Sequence, residues 1–128
     1  MLHQILLWAA VTFSATDAAP FVARSHNRLI VKSHINVGPS FDVVSSLIIG
    51  SKSAVIIDLP LTIPQAHALV DWVKNTTDKP LVAAFSTHFH PDHYLSGAAF
   101  LEQFPDVPYY ANSKTVGHMK TGLPRTVS

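Results

Sequence analysis

Apolar residues in this chain fall in short blocks, and their spacing lengthens from alternation to helical periodicity and back as the chain proceeds. Leu29-Ile30-Val31-Lys32-Ser33-His34-Ile35 reads as a strand with Leu29, Val31 and Ile35 on one face. After the turn residues Gly38-Pro39-Ser40 come two further strands, Phe41 to Ile49 and Ser53 to Asp58. Gly50-Ser51-Lys52 between them has the length and chemistry of a hairpin loop. Ser53-Ala54-Val55-Ile56-Ile57 does not alternate cleanly, which predicts a central strand covered on both faces.

The period then changes. Thr62-Ile63-Pro64-Gln65 matches a helix start, with Thr62 as N-cap, Pro64 in the first turn and Gln65 in the reciprocal capping position. Ala66, Leu69, Val70 and Val73 recur at helical spacing to about Lys74, giving one buried face. Asn75-Thr76-Thr77-Asp78-Lys79-Pro80 ends that helix, and Leu81 to Ser86 is the next buried strand. Leu95 to Phe104 is helical in pattern, Val107 to Ala111 is a short strand, and Ser113 to Lys120 opens another capped helix. Three strands followed by helix, strand, helix, strand and helix predict an α/β layered fold, a mixed sheet with flanking helices.

Composition narrows this to one domain: 128 residues, 48% of them apolar, suit a single core. A net charge of +1, with Lys and Arg scattered singly, provides no basic stripe for phosphates and excludes nucleic acid as an expected partner. The chain contains no cysteine, so disulfides, thiolate ligands and cysteine nucleophiles are excluded, and any metal must be held by His and Asp. Residues 1–19 read as a secretory signal peptide, with the apolar block Ile5 to Val11 followed by small residues up to Ala18-Ala19. The block is shorter than the roughly 20 apolar residues that span a bilayer. A secreted or extracytoplasmic chain is expected, with residues 20–128 as its domain and no membrane contact after leader cleavage. Asn75-Thr76-Thr77 is a glycosylation acceptor sequence at the end of the predicted helix.

The chemistry concentrates in Thr87-His88-Phe89-His90-Pro91-Asp92-His93. Two residues apart in an extended segment, His88 and His90 project to the same side, whereas on a helix they would diverge by about 200°. Pro91 disfavours a helical conformation at His90, so the pair lies on a loop at the strand's end. Asp92 and His93 follow at the start of a turn or helix, offset from the first pair and able to face a second ion. Two ions roughly 3.5 to 4 Å apart would clamp and acidify a shared water. Taken alone, Asp92 would be read as a helix cap. His34, His67 and His118 have no local partner arrangement and are expected to be structural or solvated. No nucleophile elbow and no phosphate-cradling glycine loop compete with this motif, and Ser45-Ser46 is expected to be structural.

The run from Thr87 to His93 resembles the signature of the metallo-β-lactamase superfamily. Val55-Ile56-Ile57-Asp58 is similar to that family's strand ending in an acidic residue, which supports the metal loop without binding metal. Tyr94-Leu95-Ser96-Gly97 resembles the continuation. The resemblance covers Leu29 to about Lys120 and implies the N-terminal half of an αβ/βα sandwich with its metal site at a sheet edge. It also implies one or two zinc ions, held by His88 and His90 and by Asp92 and His93. Asp92 would orient the attacking water and assist proton transfer. The implied activity is hydrolysis of an ester, lactone, amide or similar bond in a small-molecule substrate.

The same family completes its site with a third histidine for the first metal, a bridging carboxylate and a final histidine further along the chain. Here Asp106 is the only later Asp and His118 the only later His, both too early for those positions. The sequence is therefore expected to be the first half of the sandwich, with an uncovered sheet face that favours self-association. The alternative reading is a non-catalytic truncated fragment or a secreted metal-binding module.

Overall fold

Strand pairing follows the order of the apolar blocks along the chain. The computed structural model describes residues 28–38 and 42–122. The expected leader 1–19, the stretch 20–27, residues 39–41 with most of the expected turn at Gly38-Pro39-Ser40, and the tail 123–128 lie outside them. Five strands, β1 (Ile30–Asn36), β2 (Val43–Ile49), β3 (Ala54–Ile57), β4 (Leu81–Phe85) and β5 (Tyr109–Tyr110), form one sheet in the order β1-β2-β3-β4-β5. β1, β2 and β3 are antiparallel neighbours, and β4 and β5 add in parallel. The Gly50 to Ser53 hairpin closes with a 2.8 Å bond from Gly50 N–H to the Ser53 carbonyl.

Helix α1 (Ile63–Thr76) makes the crossover from β3 to β4. Its N-terminus is the predicted capping box: the Gln65 N–H donates to the Thr62 hydroxyl, and the Thr62 N–H donates to Gln65 Oε1 at 3.1 Å. Ala66, Leu69, Val70 and Val73 are all buried, as their spacing requires. They pack with Leu47, Ile49, Ala54, Ile56, Leu59, Ala84 and Phe100 into one core on a single side of the sheet. Phe100 comes from α2 (Gly97–Leu101), which is shorter than the predicted Leu95 to Phe104, because turns take the residues on either side. The last helix, α3 (Ser113–Gly122), is capped by Asn112, whose Oδ1 accepts from the Thr115 N–H at 2.9 Å.

Both helices of the core cover the same face, which corrects one expectation, that β3 is covered on both sides. β3 is central but alternates, with Ala54 and Ile56 buried and Val55 and Ile57 only half-buried. At β1, Leu29, Val31 and Ile35 share a side as expected; among the described residues it is the uncovered one, and they are 57% exposed or more. The register continues this apolar row: Val31 is opposite Ile48, Ile35 opposite Val44, Ile57 opposite Phe85, and Phe85 opposite Tyr110. Fold class is nonetheless as the pattern requires, a mixed sheet with helices.

At the edge, buried polar groups take over from the apolar core. The Asn36 side-chain amide donates to the Val43 carbonyl and to the Ser45 hydroxyl, both at 2.8 Å, and Gln65 Nε2 donates to the Asn36 carbonyl at 2.9 Å. Gln65 thus caps its own helix and ties it to the β1-β2 hairpin. His34 lies on the helical side of β1 with its ring 5.1 Å from that of Trp72. Burial there lowers its pKa from the usual 6.5.

Two outcomes are expected. Gln65→Ala removes both roles at once and should cost about 1–2 kcal/mol in urea-unfolding experiments. For His34 the folded pKa is the lower one, so the unfolded chain binds the extra proton. Stability should therefore fall as pH drops below 6.5, and a His34→Phe variant should lack that part of the slope in melting experiments between pH 7 and 5.

Candidate functional site

The loop after β4 is shaped by the segment that leaves β3. Asp58 has φ 61°, a left-handed conformation that L-residues other than Asn and Asp seldom adopt. Its N–H still pairs with the Phe85 carbonyl at 2.8 Å, and the next residues stitch the loop's far end in place. The Leu59 N–H donates to the His93 carbonyl at 3.0 Å, and the Pro60 carbonyl accepts from the Ser96 N–H at 3.1 Å and from the Ser96 hydroxyl. Pro91–His93 forms a single 3-10 turn between these anchors, so Asp92 caps no helix. Gly97 is required just beyond, because a Cβ there would lie 3.1 Å from the Tyr109 ring.

The Asp58 carboxylate is 7% exposed and faces the loop. It accepts from the Thr87 N–H at 2.8 Å and from the Thr87 hydroxyl at 3.0 and 2.8 Å. His93 Nδ1 lies 3.0 Å from Asp58 Oδ2, close enough for strong attraction but outside aligned hydrogen-bond geometry. Thr87 Oγ1 is also 2.9 Å from His88 Nδ1. A hydroxyl has one proton, and the carboxylate can only accept, so that proton goes to Asp58 and His88 Nδ1–H donates to Thr87. His93 also turns Nδ1 toward an oxygen, and His88 is thereby held with Nε2 left as the ring's lone-pair nitrogen. This is the tautomer a ligating histidine needs.

The rings gather at one place. His88 is 4.8 Å from His90 and 4.0 Å from His93, centroid to centroid. Asp92 Oδ2 lies 3.7 Å from His93 Nε2, with both side chains about one-fifth exposed. His93 therefore sits closer to His88 than His90 does, on the same cluster. Among the described residues no three His, Asp or Glu side chains are arranged to hold a metal ion as they stand. The donors nevertheless fit zinc in kind: three imidazoles and a carboxylate, with an oxygen hydrogen-bonded behind the His88 ring and another close behind that of His93.

Several participants were hidden from the sequence. Tyr109 on β5 reaches the loop from the side, its hydroxyl 3.4 Å from the His93 carbonyl. Burial raises its pKa well above the usual phenol value, outweighing a Ser86 contact that lowers it, so it remains a donor. Ser86 itself donates to the His88 carbonyl at 2.8 Å. Nothing local marks these residues; only the parallel addition of β5 brings Tyr109 near. His34 and His118, which lack partners by sequence, have aromatic ones in space, Trp72 and Phe89, while His67 is exposed. Asp106 is exposed on a different surface, at the rim of a cavity of about 360 Å³ with Lys74 and Phe104. A second cavity, of about 420 Å³, is lined by His34, Asn36, Thr62 and Gln65, not by the histidine loop.

The sequence profile of the metallo-β-lactamase superfamily matches residues 39–126, more than half of the chain. This chain belongs to that superfamily. No curated protein matches it. Among solved structures it is similar to BLEG-1, a B3 metallo-β-lactamase, with 30% identity and a TM-score of 0.55 over 66% of this chain and 38% of that one. It is also similar to the sec-alkylsulfatase Pisa1 from Pseudomonas sp., with 25% identity and a TM-score of 0.50 over 61% of this chain and 13% of that one. The mono-zinc form of FIM-1 from Pseudomonas aeruginosa shares the fold, at 22% identity and a TM-score of 0.50 over 71% of this chain and 40% of that one. The chain thus spans well under two thirds of the length of these relatives, and its fold corresponds to part of the metallo-β-lactamase fold.

Thr87 provides a direct test of the arrangement. Thr87→Val removes the hydroxyl that links Asp58 to His88, and should lower stability by about 1–2 kcal/mol. Thr87→Ser keeps the link and should restore most of it. Chemical denaturation of the three metal-free proteins measures this.

Proposed function

We propose that this chain is a zinc-dependent hydrolase of the metallo-β-lactamase superfamily, acting with water on an ester, lactone, amide or similar bond of a small molecule. The observation that supports it is the paired orientation of His88 and His93, both with Nδ1 turned to an Asp58-Thr87 oxygen system, in a chain of this family. His88, His90, Asp92 and His93 are the proposed ligands. When bound, zinc supplies Lewis acidity that makes water a nucleophile at neutral pH.

Asp92 is the residue we assign to proton handling. Its carboxylate is partly exposed beside the imidazole cluster, and as an acceptor it can orient a water and take up its proton. Asp58 has a different role, since its oxygens are already engaged by Thr87 and His93. The substrate's identity rests on parts of the surface other than this loop. The leader 1–19 supports a proposal of secretion, and the exposed position of Asn75 suits the acceptor sequence there.

The second reading is a metal-binding module without turnover, in which the same His88, His90, Asp92 and His93 hold the ion and no hydrolysis follows. The uncovered sheet face supports association between copies in either case. One preparation separates the readings: zinc per chain after dialysis, its sedimentation behaviour, and hydrolysis of generic ester and lactone substrates. The hydrolase reading expects zinc-dependent turnover that falls by roughly 100-fold or more in Asp92→Ala. Zinc uptake without turnover would favour the module, and a chain that takes up no zinc would refute both.

A further inference from the structure

We infer that His118, on α3, is a positioning residue for the histidine loop, acting through Phe89 to fix the ring of His90. The inference rests on the reading of His90 as a zinc ligand. It begins from an asymmetry among the three imidazoles. His88 and His93 each have an oxygen behind Nδ1, from Thr87 and Asp58. Among the described residues His90 has no side-chain hydrogen bond and no ion pair, so its orientation depends on ring packing.

Two rings supply that packing. His88 meets His90 at 74°, and Phe89 meets it at 5.0 Å and 70°, both edge to face. Phe89 is 41% exposed, so the core does not hold it. Its other aromatic neighbour is His118, 4.7 Å away at 31°. Asn112 caps α3 directly after β5, and Thr115, three residues before His118 on the same helix side and 5% exposed, is the buried anchor of that helix. Aromatic pairs in such geometries are worth more than their buried area alone. The order His118, Phe89, His90 therefore connects the last helix to the one imidazole that lacks an oxygen partner.

His118 is exposed, so its replacement leaves the core intact. The test compares the wild-type chain with His118→Ala and His118→Phe, with His90→Gln used to assign the His90 imidazole signals by NMR. In metal-free protein, His118→Ala should shift and broaden the His90 signals, and His118→Phe should return them. Zinc affinity, from competition with a chromophoric chelator, should weaken roughly three- to tenfold in His118→Ala and recover in His118→Phe. Unchanged His90 signals in His118→Ala would overturn the inference, as would a His118→Phe variant that behaves like the alanine one. If the wild-type chain takes up no zinc, the ligand reading of His90 falls, while the NMR comparison still decides whether His118 positions that ring.

Discussion

Asp58 ends β3 in a left-handed conformation, and its carboxylate is thereby directed at the first residues of the loop after β4. The arrangement of Thr87, His88 and His93 follows from that placement. A buried carboxylate needs donors, and Thr87 supplies two. Supplying them fixes the direction of the Thr87 hydroxyl, which in turn fixes the tautomer of His88. The remaining approach attracts His93 from the opposite end of the loop. The backbone strain at Asp58, of order 1–3 kcal/mol for such conformations, is offset by the interactions it makes available. The adjacent main chain, through Leu59 and Pro60, holds the loop's far end by the same short segment. A six-residue stretch of histidines and aspartate is thus positioned by its distant neighbour more than by its own conformation.

Much of this was legible from local pattern. The capping box of Thr62 and Gln65, the buried positions of α1 and the hairpin at Gly50 depend on contacts within a few residues, and the structure reproduces them. His88 and His90 do come together, with ring centroids 4.8 Å apart, but on a loop that bends at Thr87 to Phe89, so strand alternation alone does not account for it. Interactions that cross the sheet were less accessible. A run such as Val55-Ile56-Ile57 cannot reveal whether one or both faces will be covered, because that depends on where helices elsewhere come to rest. Tyr109 and His118 likewise reach the loop only through β5 and α3. Neither carries a local sign of that proximity.

The family relation gives these contacts a wider meaning. A B3 metallo-β-lactamase and a sec-alkylsulfatase are both similar to this chain in fold, and their names point to different substrates. The fold therefore does not decide the substrate, which depends on the residues around the site. The helix-covered face, where Leu47, Ile56, Leu69 and Phe100 are fully buried, supplies the rigidity that the site's loop requires.

The sheet's strand order equals its order in the chain, and this sets how early each part can form. The first two pairings join strands across short connections, whose closure costs little entropy. Asp58 and Thr87, by contrast, are 29 residues apart. All of α1 and β4 must be in place before the carboxylate can meet its donors. The imidazoles are therefore oriented only after the crossover has closed, so metal uptake by this loop would report on completion of the fold, whereas the hairpins would report on its start.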